Sequence, residues 1–112
     1  MIVINKTTGK TIFSSIVKAA DFSSRSAGLI PRRSLGAEDG MWINPCAMIH
    51  TCFMKFAIDV VFLDKGFYVV RVLENIRPWR FSPWVFDAHS VLEVSAGTAK
   101  EKVSVGDNLV FQ

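Results

Sequence analysis

The apolar positions of this chain fall in short runs rich in Val, Ile and Phe, separated by small clusters of turn-forming residues. Residues 2–4 and 11–17 are β-branched runs with Asn5-Lys6-Thr7-Thr8-Gly9-Lys10 between them, which predicts a hairpin. From Asp21 the spacing changes. Asp21 can cap, Phe22, Ser26 and Leu29 recur at helical spacing, and Pro31 stops the segment, so one short helix is expected there. Residues 34–40 are polar and contain two glycines, a loop, and residues 41–43 begin a strand.

The densest strand signal follows in residues 48–56, 58–63 and 67–73. Asp64-Lys65-Gly66 supplies a residue that tolerates positive φ between the last two, so they pair as a hairpin. Residues 76–86 contain Pro78 and Pro83, which remove ladder donors, and read as an aromatic loop or sheet edge. Residues 90–94 form a strand, Thr98 can cap a helical turn running through Lys102, Gly106-Asp107 turns the chain, and residues 108–111 close as a strand. The expected fold class is α+β and β-rich, a mainly antiparallel bent sheet or partial barrel of about seven short strands with one or two short helices.

Composition narrows the class without naming a function. The chain has 112 residues, 50% apolar and 21% charged, which excludes disorder, collagen and coiled coil and reads as a single domain over residues 1–112. Thirteen Lys and Arg against ten Asp and Glu leave a formal charge of +3, with the excess in the first half around Arg25, Arg32 and Arg33. That is far from a dense basic face, so nucleic acid is the least favoured partner. Two cysteines are too few for a disulfide framework. The longest uncharged run, residues 40–54, is 15 residues and is interrupted by Asn44, Pro45 and His50, whereas a spanning helix needs about 20 apolar residues. With no export signal in MIVINKTTGK, a cytoplasmic protein without membrane association is expected.

Several residues could carry chemistry. Cys46, His50 and Cys52 form a C-x3-H-x-C set, and thiolate and imidazole are ligands that zinc prefers; the same residues could supply a thiolate nucleophile with a neighbouring base. The spacing matches no common zinc pattern, and the plainer reading is two buried thiols beside a hydrogen-bonded histidine. Asp59 interrupts an apolar run and must meet a cation or backbone donors, with Lys55, Arg25, Arg32 and Arg33 as the candidate cations. Glu93 poses the same problem within Val91-Leu92-Glu93-Val94. Trp79, Phe81, Trp84 and Phe86, with Arg77 and Arg80 among them, either stack on a ligand or cap the open end of the barrel.

Taken in order, Ser24-Arg25 with Gly28-Leu29, Arg32-Arg33 with Leu35, Gly40-Met41-Trp42, MIHTCFMKFAIDVVFLDKG, Val91-Leu92-Glu93 with Ala96-Gly97, and Gly106-Asp107 resemble the domain-of-unknown-function family 192, also called UPF0127, over about residues 17–112. The resemblance implies a small β-rich α+β domain and no established activity. It places Arg25, Arg32, Lys55, Asp59, Glu93 and Asp107 at polar positions of the family pattern. The leading reading is a non-enzymatic binding domain for an anionic or carbohydrate-like small ligand. Its pocket would lie between the segment carrying Arg25, Arg32 and Arg33 and the strand carrying His50, Lys55 and Asp59, with Glu93 nearby. That reading has no catalytic residue, cofactor or metal. The alternatives are a zinc- or thiolate-dependent hydrolase using Cys46, His50 and Cys52, and a single-stranded nucleic-acid binder using the aromatic and Arg loop.

Overall fold

The computed structural model describes residues 1–19 and 33–112. Among these residues there are eight strands and no helix: β1 (Val3–Asn5), β2 (Lys10–Phe13), β3 (Ser15–Ala19), β4 (Asp39–Ile43), β5 (Ile58–Leu63), β6 (Val69–Ile76), β7 (Ser90–Ser95) and β8 (Leu109–Phe111). They form two sheets, a three-stranded β2-β1-β8 and a five-stranded β3-β4-β7-β5-β6. Every pairing is antiparallel except β3 with β4.

The expected α+β class is therefore corrected to all-β for the described residues. The helix expected from Asp21 to Pro31 lies outside them, as do Arg25 and Arg32. The helical turn expected at residues 98–102 is a set of turns instead, and the reason is local. The N–H groups of Gly97 and Ala99 donate to the Asp59 carboxylate at 2.9 and 3.1 Å, which wraps the chain around that side chain. One turn then closes through Lys102 and Val103 onto the Ala99 carbonyl, and the chain returns to the sheet.

The first hairpin forms as expected, but the run at residues 11–17 breaks at Ser14 and serves both sheets. A register shift between Val3 and Ile4 turns Ile12 and Phe13 inward together, and β3 then leaves to pair with β4. The β5–β6 hairpin is also as expected, but Phe67 rather than Gly66 carries the positive φ (+66°). The Asp64 carboxylate accepts from the N–H groups of Gly66 and Tyr68 and holds that turn. Residues 48–56 are not a strand. They form a loop hydrogen-bonded to a second loop, with an isolated β-bridge between His50 and Phe81.

Two apolar clusters share the large sheet. One, between the sheets, packs Val3, Phe13, Ile16, Trp42, Val61, Leu63, Leu92, Val94 and Leu109. The other lies on the opposite face, where Met41, Ile43, Ile58, Val60, Phe62 and Val91 are met by Ile49, Met54 and Val85 from two loops. Strand β5 is buried at all six positions, as expected where both faces are covered.

Candidate ligand-binding surface

Strands β5 and β7 carry the two acidic residues that the sequence singled out. Asp59 is fully buried, and its pairing with Val94 puts it on the face toward the inter-sheet cluster. Its partners are main-chain donors: Asn75 N–H on Oδ1 at 2.8 Å, and Gly97 and Ala99 N–H on Oδ2. Of the four cations expected to pair with it, Lys55 and Arg33 do not, Arg25 and Arg32 lie outside the described residues, and backbone N–H groups supply its described partners. Carboxylate bonds to N–H are among the stronger ones available in a protein.

Glu93 pairs with Met41 and Val60 and so points to the opposite face, with 3% of its surface exposed. Burial pushes its carboxyl up to about 7. Arg33, His50 and Lys55 are all exposed. Among the described residues the expected set is thus divided between two buried carboxyls on opposite faces and three solvent-facing side chains.

The Cys46, His50 and Cys52 set does not converge either. Among the described residues no group of three His, Cys, Asp or Glu side chains is placed to hold a metal. Cys46 Sγ donates to the Met48 carbonyl at 3.1 Å, while His50 Nδ1 accepts from the backbone N–H of Cys52 at 3.2 Å. The imidazole therefore contacts the main chain of Cys52, and no thiol–imidazole hydrogen bond joins the two among the described residues.

What the structure does assemble is a double loop, residues 44–57 laid against 77–89. Its ladder runs from Val85 N–H to Ala47 O, through Ser82 N–H to Ile49 O and Thr51 N–H to Arg80 O, to Trp79 N–H on Thr51 O. The Ser82 hydroxyl accepts from Ile49 N–H at 2.9 Å. Thr51, fully buried, donates its hydroxyl to the Arg77 carbonyl at 2.5 Å and accepts from Arg80 N–H at 2.9 Å. Two polar side chains thus hold the loops in one conformation.

On this frame the large rings face solvent. Trp79 is 56% exposed and Phe86 90%, and Phe53, Phe81 and Trp84 lie between those values. The rings do not cap a barrel end. Phe53 and Trp79 touch, with ring centroids 4.6 Å apart at 60°, and both hold left-handed backbone, φ +67° and +65°. For residues with a Cβ that conformation costs on the order of 1 kcal/mol each, and such outliers concentrate at functional sites. A cavity of about 500 Å³ is lined by Glu74, Asn75, Arg77, Arg80 and Phe81, so that Phe81 is the one of these rings that faces it. Its size is in the range of small-molecule sites.

The sequence pattern marks Trp79, Phe81, Arg77 and Arg80 but not Phe53, which lies in a run of strand composition, and it gives no sign of Phe53's exposure. Nor does it mark Glu74 and Asn75, which look like ordinary residues at a strand end. The positive φ of Asn75 (+52°) was foreshadowed only by the residue type.

Among the described residues the fold is all-β, and it displays aromatic side chains on a hydrogen-bonded loop pair whose Phe81 and two arginines line a cavity. The chain belongs to the DUF192 family, described as Uncharacterized ACR, COG1430, whose model matches residues 3–111. It is 35% identical over 117 residues to a UPF0127 protein of Thermococcus sibiricus, covering 98% of this chain and 74% of that one. It is 34% identical over 111 residues to UPF0127 protein PF1050 of Pyrococcus furiosus, covering 96% and 95%. A crystal structure of a proposed transcription regulator from Sinorhizobium meliloti 1021 superposes with a TM-score of 0.79 at 28% identity, covering 97% of this chain and 89% of that one. A protein of unknown function from Novosphingobium aromaticivorans shares the fold with a TM-score of 0.83 at 23% identity, covering 98% and 83%. No helix among the described residues is long and apolar enough to cross a membrane.

Proposed function

We propose that this chain is a non-enzymatic binding domain and that its ligand is a carbohydrate-like molecule bearing negative charge, held at the double loop. The observation that carries the reading is the exposed, touching pair Phe53 and Trp79 in left-handed backbone, on the same loop pair as Phe81 and the two arginines that line a cavity. A sugar ring has an apolar C–H face and a rim of hydroxyls. The aromatic faces suit the first, and Glu74, Asn75, Arg77 and Arg80 suit the second and an acidic substituent. Rigid loops lower the ordering cost of binding.

The test is titration with an acidic oligosaccharide and its neutral counterpart, followed by amide chemical shifts. Saturable shifts in residues 50–54 and 77–82 are expected, with affinity falling about tenfold in Trp79→Ala, the size of one lost stacking contact. Absence of saturable shifts, or equal affinity in Trp79→Ala, overturns the reading. The description of the Sinorhizobium meliloti protein as a proposed transcription regulator favours a second ligand for the same rings, a single-stranded nucleic acid. Oligonucleotide binding that weakens steeply with salt, while the oligosaccharides leave the spectrum unchanged, would select it.

A further inference from the structure

Away from the double loop, a second cavity of about 370 Å³ opens beside β3, β4 and β8, and its lining includes Lys18, Trp42, Phe67, Asn108 and Phe111. Three rings form one wall. Trp42 and Phe111 stack with centroids 4.5 Å apart at 22°, and Phe67 lies 5.8 Å from each. The Lys18 ammonium stands 5.2 Å from the Trp42 ring centroid, and the register pairs the two residues across β3 and β4. No carboxylate is among the lining residues. Trp42 is only 6% exposed, yet its Nε1–H is buried without a hydrogen-bond acceptor.

An orphaned buried donor costs on the order of 1–3 kcal/mol and is rare in native structures. It stands here on a residue that lines a cavity with two cationic residues, Lys18 and the Met1 ammonium, and no carboxylate among its lining. We propose that this cavity binds a small aromatic carboxylate, its ring against Trp42, Phe67 and Phe111 and its carboxylate toward Lys18. Flat apolar area supplies most of the attraction, as in small-molecule sites generally, and the ammonium selects the charge.

The full chain carries three tryptophans, so its nitrogen–proton spectrum holds three indole N–H signals that report on both candidate sites at once. Benzoate is the probe, with benzyl alcohol as the neutral ring and acetate as the charge without a ring. The expected result is a saturable shift of the Trp42 indole signal with benzoate, at least about tenfold weaker with benzyl alcohol and absent with acetate. Lys18→Met should weaken benzoate binding at least several-fold, toward the benzyl alcohol level, while leaving the rest of the spectrum in place. An unmoved Trp42 signal, shifts confined to Trp79 and Trp84, or unchanged benzoate affinity in Lys18→Met would each overturn the proposal. Because the oligosaccharide titration reads the other two indoles, failure of one site is distinguishable from failure of the other.

Discussion

Glu93 makes the stability of this protein depend on pH in the direction opposite to that of a salt-bridged carboxylate. The side chain stands in the middle of β7 among Met41, Val60 and Val91, and burial raises its carboxyl from 4.5 to about 7. Between those two values the folded protein holds a proton that the unfolded chain has released. Native molecules thus bind more protons, and stability falls as pH rises. The contribution is complete below the unfolded value and lost as pH passes through about 7. At roughly 1.4 kcal/mol per pH unit, the gap amounts to about 3 kcal/mol. Glu93→Gln keeps the shape and removes the titration. Urea unfolding of parent and variant between about pH 4 and 8 should show near-equal stability at the acid end, with the variant ahead by about 3 kcal/mol at the alkaline end. Other titrating groups are common to both proteins, so the difference isolates this one. A parent-to-variant difference that stays constant across the range would refute the reasoning.

The remaining predictions concern the elements around it. Asp59→Asn replaces an acceptor of three backbone N–H bonds by a group with a single acceptor oxygen, so a loss of about 3 kcal/mol is expected in urea unfolding. Amide exchange should accelerate at Asn75, Gly97 and Ala99, and a loss below about 1 kcal/mol would show that those donors find other partners. Gly40→Ala would place a Cβ 2.5 Å from the Glu93 carbonyl oxygen and 2.9 Å from Ile16 and Val94 side-chain atoms. It should cost about 1–3 kcal/mol through displacement of β4 from β7, read as a lowered melting temperature.

Much of the sheet was legible because β-branched runs announce strands wherever a face is buried. The β5–β6 hairpin, β7 and β8 all sit where Val, Ile and Phe cluster between turn residues. Residues 48–56 were not legible. Ile49, Thr51 and Met54 are buried there, but their backbone is held by Ser82 and by the facing loop rather than by a strand of either sheet, and composition does not show which partner a backbone will find. The pairing of Asp59 failed for a related reason. A cation is visible in a sequence as Lys or Arg, whereas N–H donors belong to every residue but proline. The surface rings were visible as residues, but their exposure depends on Thr51, whose two hydrogen bonds cross 26 and 29 residues of chain.

Strands β5 and β7 form a wall common to both apolar clusters: Val61, Leu63, Leu92 and Val94 face one, and Ile58, Val60, Phe62 and Val91 face the other. Neither cluster can come apart without exposing the back of the other. Among the described residues there is therefore no half that can melt while its counterpart survives, and the most protected amides should disappear together in a single global opening.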